Sequence, residues 1–147
     1  MVMGHNRATD EWDMIIADQA VKTVYATFED LDLYKEARAF RVSIYRVAKQ
    51  LPEEEKFNLR LQMRRAAVSL TNNIAEGHGR FHYQENIQFL RQARGSLQEL
   101  IDDLNVCLDE RYADADDVIQ LKGIGYALLK RINGHNKYLQ REKLTIT

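Results

Sequence analysis

The strongest constraint on the fold is one apolar series. Tyr83, Ile87, Leu90, Ala93, Leu97, Leu100/Ile101, Leu104 and Leu108 recur at spacings of three and four, without interruption. That spacing keeps one stripe of a helix apolar, and at 1.5 Å per residue the helix is roughly 40 Å long. Such a stripe needs partners of similar length, and the chain has three. Leu33, Ala37, Phe40, Ile44, Val47/Ala48 and Leu51 form the first, and Leu121, Gly125, Leu128, Ile132, His135 and Leu139 form the last. Between them lies RLQMRRAAVSLTNNIAEGHGR, residues 60–80, in which two apolar arcs separate at 100° per residue. Leu59, Met63, Ala66, Ala67, Leu70 and Ile74 fall on one arc, and Phe57, Leu61, Val68 and Ala75 on the other. The first arc belongs in a bundle core. The second calls for another helix or a neighbouring subunit, because left bare it makes an apolar patch that monomers seldom carry.

No useful strand alternation is present, and the connections between stripes are short. The expected fold is therefore all-α, an antiparallel up-down-up-down four-helix bundle over residues 28–147. Residues 1–27 read as an N-terminal extension, in which Thr9 or Asp10 could cap a short helix bearing Trp12, Ile16, Ala20 and Val24. Asp30 or Asp32 begins the first bundle helix. Pro52 and Glu53–Glu55 suit the first turn of the second, predicted over 53–77 and stopped by Gly77 and Gly79. Thr71, Asn72 and Asn73 are poor helix formers in mid-helix, so packing or hydrogen bonds must offset them. Gly95 and Ser96 lie inside the long helix, where small residues suggest close approach of a neighbour. Residues 111–114 turn the chain into the last helix.

Of 147 residues, 45% are hydrophobic and 29% charged, enough for one domain to bury about two-thirds of its unfolded surface without a cofactor. The single cysteine cannot form an internal disulfide. Cys107 shares a helical face with Leu100 and Leu104, which favours a buried thiol over a reactive one. No apolar run approaches the ~18 residues of a membrane span, and the N-terminus lacks the order of a signal peptide, so a cytoplasmic protein without membrane contact is expected.

Catalytic signals are weak. The paired Glu-x-x-His of di-iron bundles is absent, and His78, His82 and Glu85 would share a face only if a helix ran unbroken through Gly77 and Gly79. Free histidines at a turn, with a role in binding phosphate, are the alternative. Ser69 and Ser96 lack a nearby histidine and a nucleophile elbow, and no glycine-rich loop joins a strand to a helix. No catalytic residue, metal or cofactor is expected.

Charge is the sharper signal. The formal net charge is −1, but Lys and Arg against Asp and Glu give 7 to 11 over residues 1–55, 7 to 2 over 56–94, 1 to 8 over 95–118 and 6 to 1 over 119–147. Two basic blocks therefore flank an acidic one. Solvated faces and pairing between antiparallel neighbours would account for this pattern, and so would a phosphate-binding surface without base specificity. On the second reading the contacts are Arg60, Arg65, Arg80, Arg91, Arg94, Lys130, Arg131, Lys137 and Arg141. Phe57, Leu61, Arg64 and Val68 are the candidate oligomer interface. Only Phe81, His82 and Tyr83 offer base-stacking rings, and the pI of 6.4 is low for a dedicated nucleic-acid protein.

Several short stretches carry a family resemblance. They are Phe28-Glu29-Asp30-Leu31 with Tyr34 and Ala37, Leu51-Pro52 before the glutamates, Gln62-x-Arg64-Arg65-Ala66-Ala67-Val68-Ser69, Asn73-Ile74-Ala75-Glu76-Gly77, and Phe89-Leu90 with Ala93-x-Gly95-Ser96-x-x-Glu99-Leu100. In these the chain resembles the four-helix-bundle proteins of intervening sequences in bacterial large-subunit ribosomal RNA genes, which are related to the accessory variability protein of diversity-generating retroelements. The resemblance implies a homopentamer of antiparallel bundles with an axial channel. It also implies association with RNA or DNA and, for accessory members, with a reverse transcriptase. The slightly acidic balance and the longer N-terminal extension depart from that pattern. The function expected is a non-enzymatic oligomeric scaffold that binds nucleic acid, the alternative being a purely structural or protein-binding homo-oligomer.

Overall fold

The computed structural model describes Glu11 and residues 27–145; the predicted short helix in the extension lies outside the described residues. Four helices follow in order: α1, Asp32–Ala48; α2, Leu59–His78; α3, Tyr83–Asp109; and α4, Ala115–Thr145. Each helix packs on the next, and α4 returns to α1 to close the ring.

Cross-helix contacts fix the directions. Arg94 Nη1 donates to Asn133 Oδ1 at 3.2 Å, and Lys143 Nζ donates to Gln84 Oε1, so moving back along α3 means moving forward along α4. Arg41 of α1 bonds Thr71 of α2, and Tyr45, one turn later, meets Arg64, earlier in α2. Ser69 of α2 bonds Ser96 of α3, and Gly77, later in α2, meets Asn86, earlier in α3. These neighbours are antiparallel. The core is the set of stripes read from periodicity: Phe40, Ile44, Met63, Leu70, Ile87, Leu97, Leu100, Leu104 and Ile132 are all but sealed from solvent. Cys107 lies among them, and burial, followed by the charge of Asp103, pushes its thiol pKa up to about 11.

The start of α2 and the roles of Gly77 and Gly95 depart from expectation. α2 begins at Leu59 rather than at 53, because Glu53–Glu55 form a separate 3-10 turn after Pro52. Glu55 then acts as the cap, its carboxylate accepting from the Leu59 N–H at 3.1 Å and from Asn58 Nδ2 at 3.2 Å. Of the two glycines expected to stop α2, Gly79 is its C-cap and Gly77 is not a stop. Gly77 lies inside the helix, buried, where a Cβ would fall 2.8 Å from Asn86 Oδ1 and 3.0 Å from Phe89 Cβ. Its lack of a side chain lets α2 and α3 approach. Gly95, expected to mark a close approach, has open space around the site of a Cβ, and Gly125 takes that role on α4 against Ile101 and Phe40. Asp32 is the first residue of α1 and Asp30 caps back onto the Thr27 N–H, closing a capping box one turn earlier.

Two of the three poor helix formers in α2 are compensated by hydrogen bonds, and Asn72 faces solvent. Thr71 Oγ1 accepts from Arg41 at 2.7 Å and donates to the Val68 carbonyl, while Asn73 Nδ2 donates to the Ser69 carbonyl at 2.8 Å. Arg111, at φ 57°, ends α3, and the Tyr112 N–H reaches back to the Cys107 carbonyl at 3.0 Å.

Candidate nucleic-acid interface

The nine predicted phosphate contacts do not form one patch. Of the two on α2, Arg60 is engaged within the subunit and Arg65 is exposed beside carboxylates. Arg60 Nη2 donates to the Leu51 carbonyl, tying the α1–α2 connection, and its Nε is buried. Arg65 lines a groove of about 590 Å³ between α2 and α3 that it shares with Glu99, Asp102 and Asp103. A polyanion brought there meets carboxylates as well as the guanidinium. Asp103 feels the same crowding: burial first, then Glu99 and Asp102, push its carboxyl up to about 6. Arg131 pairs with Glu36 across the α1–α4 seam. Arg80 pairs with Glu76 at 2.6 Å and stacks over Phe89 with 4.8 Å to the ring centroid.

The rest converge on α3 and α4. The register set by Gln84–Lys143 and Arg94–Asn133 places Arg91 level with Asn136, beside Lys137. On α4, Lys130, Lys137 and Arg141 project within about 40° of one another on the side away from the core, and all three are exposed. Arg91 is exposed too, and Arg94 is half-buried at the seam. Arg91, Lys130, Lys137 and Arg141 make no hydrogen bond or ion pair among the described residues. One face of the α3–α4 hairpin is thus rich in free cations.

Acids gather at one end of the bundle. Glu53–Glu55, Asp109, Glu110, Asp114, Asp116 and Asp117 cluster where α1 ends and α4 begins, and Tyr112 bonds Glu55 across that end. The opposite end is mixed: it carries Arg80, Lys137, Arg141, Lys143 and three of the chain's four histidines, together with Glu29, Asp30, Asp32, Glu76, Glu85 and Glu142. His78, His82 and His135 line one cleft there, with Arg80, Phe81 and Tyr83. Sequence reasoning kept His78 and His82 as turn histidines and placed His135 in the core stripe of α4; it did not bring the three together.

Of the candidate interface residues, Phe57 lies in the turn before α2 and is 83% exposed, Val68 is exposed, and Leu61 is half-buried. None of these three belongs to the core of its own subunit. Arg64 lies over the Tyr45 ring, 5.6 Å from its centroid, so its guanidinium is already held by α1.

No three of His, Cys, Asp and Glu among the described residues come together as a metal site, and no described helix is long and apolar enough to cross a membrane. The family model described as 23S rRNA-intervening sequence protein matches residues 29–134, which take in α1 to α3 and most of α4. The chain belongs to that family. No curated protein matches it. The intervening-sequence-protein match covers α2, α3 and α4 as far as residue 134, and stops short of Lys137 and Arg141.

Proposed function

We propose that this intervening-sequence protein is a non-enzymatic oligomeric scaffold in the cytoplasm that holds nucleic acid on its α3–α4 face. The observation that carries the reading is the exposed, unpaired set Arg91, Lys130, Lys137 and Arg141, beside which Arg94 is held by Asn133. Cations without carboxylate partners suit phosphates, and no base-reading groove element accompanies them, so binding is sequence-indifferent. The family's printed name supports RNA as the natural ligand. A reverse transcriptase is a second partner on this reading, carried only by the resemblance to retroelement accessory proteins.

Oligomerisation is part of the proposal. Phe57, Leu61 and Val68 lie outside the core of their own subunit, and a homopentamer would repeat each cationic face five times, so weak contacts add by avidity. Light scattering should give about five subunits, and Leu61→Asp should dissociate them with helicity intact. A monomeric wild type at micromolar concentration contradicts the oligomer. Fluorescence anisotropy at ~50 mM salt tests the ligand: mixed-sequence RNA and DNA should both bind, and Arg91→Glu with Arg94→Glu should weaken both. An intact wild type that binds neither supports instead the protein-binding scaffold, a reading favoured by the exposed Phe57.

A further inference from the structure

At the end of the bundle away from the acidic cluster, the C-terminus of α2, the turn after it, the start of α3 and the last third of α4 line a cleft of about 430 Å³. Its composition is unusual for this chain. Three of the four histidines line it, together with Arg80, yet no Asp or Glu among the described residues does. Among the described residues, the groups sharing the cleft with His135 are His78 from α2, Arg80 and His82 from the turn, Tyr83 from α3 and Tyr138 on its own helix, with Leu31 before α1. Of the lining cations, Arg80 is paired with an acid, Glu76, at 2.6 Å, and Asp30, Asp32 and Glu85 adjoin the lining residues Leu31 and Asn86 in sequence. The cleft also has an aromatic lip. Phe81 is 94% exposed, and its ring meets the His82 ring edge-on at a centroid distance of 5.3 Å.

These features select among ligands. A metal ion is disfavoured, since the imidazoles do not come together as a metal site. An apolar guest would have to desolvate Arg80 and three imidazoles. A phosphate suits them, because imidazolium and guanidinium donate charge-assisted hydrogen bonds to its oxygens. The exposed phenyl ring offers a sequence-tolerant stacking face for the adjoining base. An acidic peptide would satisfy the cations but leave that ring without a planar partner.

We propose that this cleft is a proton-linked site for a phosphate of single-stranded nucleic acid, with the neighbouring base stacked on Phe81. It rests on the nucleic-acid reading above and adds a place where a strand is anchored at the end of the cationic α4 face. His135 supports the sign of the linkage. Burial, then the nearby His78, hold its pKa below the ordinary histidine range, so in the empty cleft it is neutral at pH 7. A bound phosphate reverses that balance, so binding takes up protons and affinity rises as pH falls.

The test is fluorescence anisotropy with a short 5′-phosphorylated single-stranded RNA, its 5′-hydroxyl counterpart and an acidic peptide of matched charge, at pH 5.5 and 7.5. The wild type should bind RNA at least fivefold more tightly at pH 5.5. The His78→Gln, His82→Gln, His135→Gln protein should lose that difference. Phe81→Ala, at a ring too exposed to hold the fold, should weaken RNA binding severalfold at both pH values. A preference for the 5′-phosphorylated strand assigns the cleft to a terminal phosphate, and equal binding of both strands assigns it to an internal phosphodiester. RNA binding that is pH-independent, or unchanged in both variants, overturns the cleft and leaves the α3–α4 face standing. No RNA binding at either pH overturns both, and tighter binding of the peptide than of RNA overturns the choice of ligand.

Discussion

Asp103→Asn should flatten a downward slope of stability with pH. Asp103 lies on α3 beside Glu99 and Asp102 in the groove shared with Arg65, and burial is the largest cause of its raised pKa, ahead of its two acidic neighbours. The shift runs from the ordinary 3.8 to about 6. The folded state therefore binds the proton more tightly than the unfolded chain. Stability from this group is fully present below about pH 4 and is lost as pH rises through 6. At 1.36 kcal/mol per unit the shift corresponds to ~3 kcal/mol, and because the carboxyl is about half exposed, solvent screening reduces this to ~1 kcal/mol. Urea unfolding at pH 4, 5, 6 and 7.5 would measure it. The variant should gain ~1 kcal/mol on the wild type at pH 7.5 and little or nothing at pH 4. Parallel profiles for the two proteins would refute the argument that this carboxyl is held in a crowded, half-desolvated groove.

Two other substitutions test the packing. Gly77→Ala should destabilise by ~1 kcal/mol, the clash with Asn86 and Phe89 outweighing the helix propensity gained, whereas Gly95→Ala should stabilise by ~0.5–1 kcal/mol. Equal effects in thermal melts would show that the two glycines do not differ in environment. Arg111→Gly should stabilise by ~0.5–1 kcal/mol by removing the Cβ strain of its positive φ, and chemical denaturation giving a loss instead would mean that the arginine side chain holds the α3–α4 turn.

The apolar stripes were legible because a buried helical face imposes its period on the sequence. Phe40, Met63, Leu97 and Ile132 are core residues in the structure as in the spacing. The start of α2 was not legible in the same way. Pro52 followed by three glutamates is a good helix opening locally, and what delays α2 to Leu59 is Glu55 capping its N–H, with Arg60 holding the Leu51 carbonyl. The role of Gly77 was hidden for a similar reason, since only the position of Phe89 and Asn86 distinguishes a close approach from a stop.

The candidate site was legible as a list of cations but not as a surface. Charge counts cannot tell that Arg131 finds Glu36 across the α1–α4 seam, or that Arg65 shares its groove with three carboxylates. Nor does the sequence bring His135 to His78 and His82, because that depends on how far α4 runs antiparallel to α3.

The central claim is that phosphates are held by the α3–α4 face rather than by the arginines of α2. The salt dependence of binding to a mixed-sequence single strand, measured by anisotropy between ~50 and ~300 mM salt, tests it most directly. Each phosphate contact contributes about −0.7 to the log–log slope for single strands, so Lys130→Glu with Lys137→Glu should make the slope shallower by about 1.4, and Arg60→Gln with Arg65→Gln should leave it unchanged. A slope altered by the α2 pair and untouched by the α4 pair would contradict the account.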